Sequence, residues 1–190
     1  MIAPDTLSGG LADPATDAAR AFRACLTALS RPGTIVPLTG AQPPAPLSVA
    51  AGTLLLTLLD RTTSVFLAPS HDTPTLRDWI TFHCGAPFAA AEEATFALGT
   101  WAALDPVTRF AIGQPDYPDR ACTLIVECDA LSHDGPRLSG PGIKGSVRLS
   151  LPETAAFRAN RALFPLGFDT FLTAGDLIAG LPRSTIVGDA

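Results

Sequence analysis

One stretch of the chain, Gly140 to Ser146 (GPGIKGS), comes close to a phosphate-binding loop, in which backbone amides cradle phosphate and a lysine directly follows the last glycine. Here Ser146 stands where that lysine belongs, and Val147 to Leu151 reads as a strand instead of the helix whose N-terminus would face the phosphate. The pattern predicts a glycine turn between two short strands. Lys144, inside it, is the only lysine of the chain, so any Schiff-base chemistry with an aldehyde cofactor would have to use it. A glycine-rich loop offers no apolar pocket to lower a lysine pKa, which makes a surface lysine the expected role. His83 falls on the apolar stripe of a predicted helix, where a hydrogen-bonded core histidine is commoner than a catalyst. His71 and His133 sit in predicted loops, and the three histidines have no ligand-like spacing to one another, so no metal site is expected. Arg31, beside Pro32 and Gly33 at a helix exit, and Arg183, after Pro182, are each placed to grip a carboxylate or phosphate from a fixed turn. Helix-terminus packing and charge balance are the ordinary roles for both. Arg31, His83, Lys144 and Arg183 are therefore the candidate ligand or interface contacts, with no catalytic set and no cofactor expected.

The four cysteines fit a core better than a disulfide framework. Cys122, Leu124, Val126 and Cys128 share one face of a predicted strand. Cys25 lies with Phe22, Leu26 and Leu29 at helical spacing, which predicts a core position for all four. Buried free cysteine behaves as a small hydrophobe. Only 16% of the 190 residues are charged, against roughly 25% in an average globular protein. Few charges are left to cover a surface, so either the core is generous or an apolar contact patch faces a partner. The net charge of −5 with scattered basic residues gives phosphate-backbone binding no electrostatic footprint, so nucleic acid is not an expected partner. No apolar run approaches the ~18 residues of a membrane span. The N-terminus lacks the basic and apolar regions of a secretory signal, which makes the cytoplasm the expected compartment.

These groups need elements to hold them. Residues 1–190 read as one domain, with 1–14 a flexible or docking arm rich in glycine and proline. A helix from Thr16 to Ser30 stops at Arg31-Pro32-Gly33, a strand follows at Thr34 to Leu38, and the proline-rich stretch 41–46 is loop. Val49 to Leu59 is apolar nearly all round and should be sandwiched. Strand Ser64 to Leu67 precedes a helix that starts at Thr73-Pro74 and ends at Gly85. Strand Thr95 to Leu98 is followed by a weakly helical or loop stretch to Phe110. Thr123 to Cys128 is the clearest strand. Ser150 and Glu153, with Pro152 between them, have capping-box spacing for a last helix ending near Leu163. Phe168 to Thr173 and Leu177 to Gly180 read as the strands of a β-hairpin turning at Ala174-Gly175-Asp176, with Ser184 to Val187 extending it. Helices alternating with strands, then an antiparallel end, predict an α/β fold: a three-layer αβα sandwich around a mixed sheet.

Read in order, several blocks resemble one family. They are Arg31 to Gly33 (RPG), Leu54 to Asp60 (LLLTLLD), Phe82-His83 with Ala86-Pro87, Thr95 to Gly99 (TFALG), Thr123 to Glu127 (TLIVE), Leu138 with Gly140 to Ile143, Phe164 to Gly167 (FPLG) with Asp169, and Pro182-Arg183 with Thr185. Together, over about residues 18–188, the chain is similar to the phosphonate-metabolism H subunit family (PhnH). The resemblance implies a component of the bacterial carbon–phosphorus lyase core, which comprises G, H, I and J subunits and transfers an alkylphosphonate to the ribose of ATP with loss of adenine. It implies a non-catalytic subunit docking on the I subunit. It also implies a homodimer in isolation, and a fold like the large domain of pyridoxal-phosphate-dependent transferases without the cofactor or its lysine. The alternative is a free-standing transferase binding an adenine nucleotide or pyridoxal phosphate.

Overall fold

A computed structural model describes residues 8–189. Its main sheet has six strands. Four run parallel side by side: β2 (Val65–Leu67), β3 (Phe96–Thr100), β6 (Thr123–Glu127) and β9 (Asp169–Ala174). Two more, β10 (Leu177–Leu181) and β1 (Ile35–Pro37), continue it antiparallel. The sheet is thus mixed, with the expected C-terminal hairpin. Leu177 pairs with Ala174 across a two-residue turn, and Gly175 at φ +57° supplies the left-handed backbone that such turns demand.

Strand alternation sorts side chains into two cores. Ile125, Phe171, Ile178 and Leu98 face one side; Leu124, Val126, Leu172 and Ala179 face the other. Helices α1 (Pro14–Ser30), α2 (Val49–Leu58) and α3 (Pro74–His83) contribute to the first core. Helices α4 (Trp101–Leu104) and α5 (Ala155–Ala162) contribute to the second. Two small antiparallel sheets accompany them: β4 (Ile112–Gln114) with β5 (Tyr117–Ala121), and β7 (Arg137–Ser139) between β8 (Val147–Arg148) and β11 (Ile186–Val187). The nearly all-apolar α2 is enclosed as expected, with Ala50, Ala51, Thr53, Leu54 and Leu55 buried.

Several expectations change. On α1 the buried residues are Ala21, Cys25 and Ala28, while Phe22 and Leu26 are 48% and 52% exposed. Small side chains face the sheet because the helix lies almost on the strand. A Cβ at Gly180 of β10 would sit 2.6 Å from the Ala28 backbone, so only glycine there and small residues opposite fit. Ser150 does not cap α5. Its hydroxyl accepts from the Ser132 N–H, and the Glu153 carboxylate caps by accepting from the N–H groups of Ala155 and Ala156. Strand β11 leaves the hairpin and pairs with β7. The glycine turn expected at 140–145 does connect two strands, β7 and β8.

Of the segment 1–14, residues 1–7 lie outside those described. The Gly9 carbonyl accepts from the Gln42 N–H at 2.8 Å, the Ser8 carbonyl accepts from Trp79 Nε1 at 3.0 Å, and α1 begins at Pro14. The proline-rich stretch lies along α2. The Ala41 N–H donates to Thr53 Oγ1 at 3.0 Å, and Pro43 occupies the space that a side chain on Gly52 would need.

Candidate functional site

Open sheets with parallel strands bind ligands at the carboxyl ends of those strands. In this chain those ends carry a polar cluster that the sequence reading passed over. Glu127, the last residue of β6, has its side chain 9% exposed. Its Oε1 accepts from the Ser48 N–H at 2.7 Å and its Oε2 from Thr173 Oγ1 at 2.9 Å. Ser48 is the N-cap of α2, its hydroxyl accepting from the Ala51 N–H at 3.1 Å. The carboxylate therefore ties β6, β9 and the start of α2 together.

Behind it lies His71, in the turn after β2, with its side chain 4% exposed. His71 Nδ1 meets Ser70 Oγ at 2.9 Å, and that hydroxyl also accepts from the Thr100 N–H at 3.1 Å. His71 Nε2 is 4.0 Å from Glu127 Oε1 and has no hydrogen-bond partner among the described residues. Burial holds the imidazole pKa below its usual value, and the Glu127 charge opposes that effect in part. In front of Glu127 opens a cleft of about 480 Å³, also lined by Thr100, Asp129, Ser150 and Leu151. Cys128 borders it too. Its thiol is pushed up to about 11 by burial and by the carboxylates of Glu127 and Asp129, so it stays protonated.

A pH effect follows from His71. The unfolded imidazole takes a proton near pH 6.5, whereas the folded one resists, so stability present above that value is lost as pH falls through it. Urea midpoints measured at about pH 7.5 and about pH 5.5 should fall more steeply for the native chain than for His71→Asn. Parallel slopes would remove this group from the account.

The four residues singled out from sequence are not brought together in this cleft. Arg183 donates from Nε and Nη2 to the two Asp169 oxygens at 3.1 and 2.7 Å, and from Nη1 to the Pro118 carbonyl at 2.7 Å. Its backbone N–H also reaches Asp169. Arg31 is the exposed C-cap of α1, and Lys144 is exposed in the β7–β8 turn. Their segments do pack together: Gly142 abuts the Ser30 carbonyl, and Gly140 abuts that of Ser184. This contact lies at the opposite end of the sheet, where β10 finishes beside the start of β9. His83 is half-buried, with Nε2 3.2 Å from the Ser8 carbonyl and its ring 5.0 Å from that of Trp79. It borders a separate cavity of about 310 Å³ with Leu11 and Leu56. Among the described residues, no three His, Cys, Asp or Glu side chains gather as a metal site, and no helix is long and apolar enough to cross a membrane.

The pattern of the family described as bacterial phosphonate metabolism protein (PhnH) matches residues 9–188. The chain belongs to the PhnH family. One relative, named alpha-D-ribose 1-methylphosphonate 5-triphosphate synthase subunit PhnH, from Rhizobium meliloti (strain 1021), is 41% identical over 187 residues, covering 94% of each chain. Another, the putative C-P lyase subunit protein HtxG of Stutzerimonas stutzeri, is 33% identical over 175 residues, covering 87% of this chain and 83% of its own. The PhnH match begins at Gly9 and ends at Gly188, so it takes in the sheet, both helical layers and the Glu127 cleft.

The Glu127 cluster was missed because His71 matches no motif and Glu127 stands only as the last residue of the TLIVE block, with no chemistry attached to it. His71 and Glu127 are far apart in sequence and meet only through the β2–β3–β6 order. The one available signal was position: Glu127 ends the clearest strand, and Ser70-His71 follow closely after another.

Proposed function

We propose that this chain is a subunit of the carbon–phosphorus lyase core complex in organic phosphonate catabolism. In that complex it supports transfer of an alkylphosphonate to the ribose of ATP with loss of adenine. The observation that carries the reading is the 41% identity, over 94% of both chains, to a relative named as a subunit of the corresponding synthase. Its role is that of a non-catalytic scaffold in the cytoplasm, assembled with the G, I and J subunits and docking on the I subunit. Large apolar side chains left outward support a partner-covered surface: Phe22 and Leu26 on α1, Phe82 on α3, and Leu163-Phe164 after α5, all 46–55% exposed. In isolation the same shortage of charge favours a homodimer.

We also group the fold with the large domain of pyridoxal-phosphate-dependent transferases, on the strength of its helix-covered mixed sheet. The chain's single lysine stands exposed in a surface turn, which suits a relative that has lost the cofactor. Size-exclusion chromatography of the chain mixed with its cognate I subunit at micromolar concentration tests the assembly. Co-elution is expected, and separate elution of two folded proteins would count against it.

A further inference from the structure

We propose that the cleft in front of Glu127 binds the vicinal diol of a ribose. This deepens the subunit reading by giving the chain a hold on the sugar of the nucleotide, and it rests on that reading for the choice of sugar. Four features of the cleft support it.

First, Glu127 has spare acceptor capacity. Two carboxylate oxygens offer about four lone-pair sites, and the Ser48 N–H and Thr173 hydroxyl occupy two. Second, the protein does not use the remainder. His71 Nε2, at 4.0 Å, is too far from Oε1 for a hydrogen bond, so it takes up none of the spare capacity. Each carboxylate oxygen thus keeps one internal donor and a lone pair to spare, and a carboxylate of that kind on the wall of an opening is an acceptor open to a ligand's hydroxyls. Third, the opening has a ligand's dimensions: about 480 Å³, within the roughly 300–1,000 Å³ of small-molecule pockets. Fourth, its lining selects among ligands. Thr100, Glu127, Asp129 and Ser150 offer hydroxyl and carboxylate oxygens, Leu151 and Pro152 offer apolar surface, and no lysine or arginine is among the residues lining it.

Two carboxylates without a cation repel phosphate and accept hydroxyl protons. The same chemistry holds ribose in dinucleotide sites, where an acidic residue near a strand end accepts from the sugar hydroxyls. The leucine and proline suit the C–H face of the ring. A nucleotide bound this way would place its phosphates outside the cleft.

The test is a titration of the full-length, 15N-labelled chain with methyl β-D-ribofuranoside, followed by amide shifts. Saturable shifts are expected at Thr100, Ala130 and Leu151, all of which line the cleft, with at least tenfold weaker binding of the 2-deoxy sugar. Inorganic phosphate should leave these amides unmoved. Glu127→Gln keeps an oxygen for one internal partner and should weaken binding tenfold or more. Asp129→Asn, on an exposed side chain, should weaken it several-fold, and serves if the first variant does not fold. No saturable shift in the cleft, equal response to the deoxy sugar, or shifts produced by phosphate alone would overturn the proposal. Co-elution with the I subunit is scored on the same preparations. Binding lost with assembly intact removes this site alone, and assembly lost with binding intact removes the subunit reading alone.

Discussion

Replacing Trp79 with alanine is expected to cost about 3–5 kcal/mol of unfolding free energy, the range for deleting a large aromatic from a core. Trp79 is fully buried, between Leu76 and Ile80 on α3, and its indole N–H donates to the Ser8 carbonyl, which His83 Nε2 also approaches. The loss has two parts, a cavity on the α1–α2–α3 side of the sheet and a freed N-terminal segment. Guanidinium unfolding of Trp79→Ala and Trp79→Phe separates them. The phenylalanine variant keeps most of the volume but not the N–H, and should lose well under half as much. A cost below about 1 kcal/mol for the alanine variant would mean that α3 contributes little to the fold.

Arg183→Met should cost about 2–3 kcal/mol. The guanidinium grips Asp169 with two parallel bonds and adds a third to the Pro118 carbonyl, the strong geometry for an arginine–carboxylate pair. The side chains are 13% and 26% exposed, so the penalty is less than that for a fully buried pair, roughly 3–5 kcal/mol. Without the Arg183 side chain, Asp169 keeps the backbone N–H of residue 183. A double-mutant cycle with Asp169→Asn should show a coupling of about 1–2 kcal/mol. Additive losses would instead leave Arg183 free for an external anion, the role its position after Pro182 suggested.

What was readable in the sequence followed local physics. The C-terminal hairpin, the cap at Thr73-Pro74 and the enclosed α2 each depend on neighbours within a few residues and appear as expected, the hairpin turn being one residue tighter because Ala174 pairs with Leu177. Thr73 Oγ1 accepts from the Leu76 N–H at 3.2 Å. The glycine turn at 140–145 was equally local. Failures came where tertiary contact decides. Phe22 and Leu26 have the spacing of a core stripe with Cys25, yet the close approach of α1 to Gly180 turns Ala21 and Ala28 inward beside Cys25 and leaves the two larger side chains outside. Short strands such as β4, β5 and β7 are held by partners, as Gln114 is by Tyr117 and Leu138 by Val147 and Val187, and carry little pattern of their own.

The site was less legible than the fold for the same reason. Arginine, lysine and histidine draw attention wherever they stand, but Arg183 is consumed by Asp169 and Lys144 by nothing visible in its turn. Glu127 stands inconspicuously at the end of an apolar strand. Its significance comes from the adjacent ends of β3 and β9 and the helix start at Ser48, which bring Thr100, Thr173 and a backbone N–H around one carboxylate. No spacing rule links positions 48, 71, 100, 127 and 173, because sheet order sets their proximity.

The most direct test of the central claim is affinity capture of the tagged chain from phosphate-starved cells of its own source, with mass spectrometry of the proteins that remain bound. The account predicts recovery of the G, I and J subunits in stable proportion. Recovery of the folded chain alone, under conditions in which those subunits are present in the extract, would contradict it.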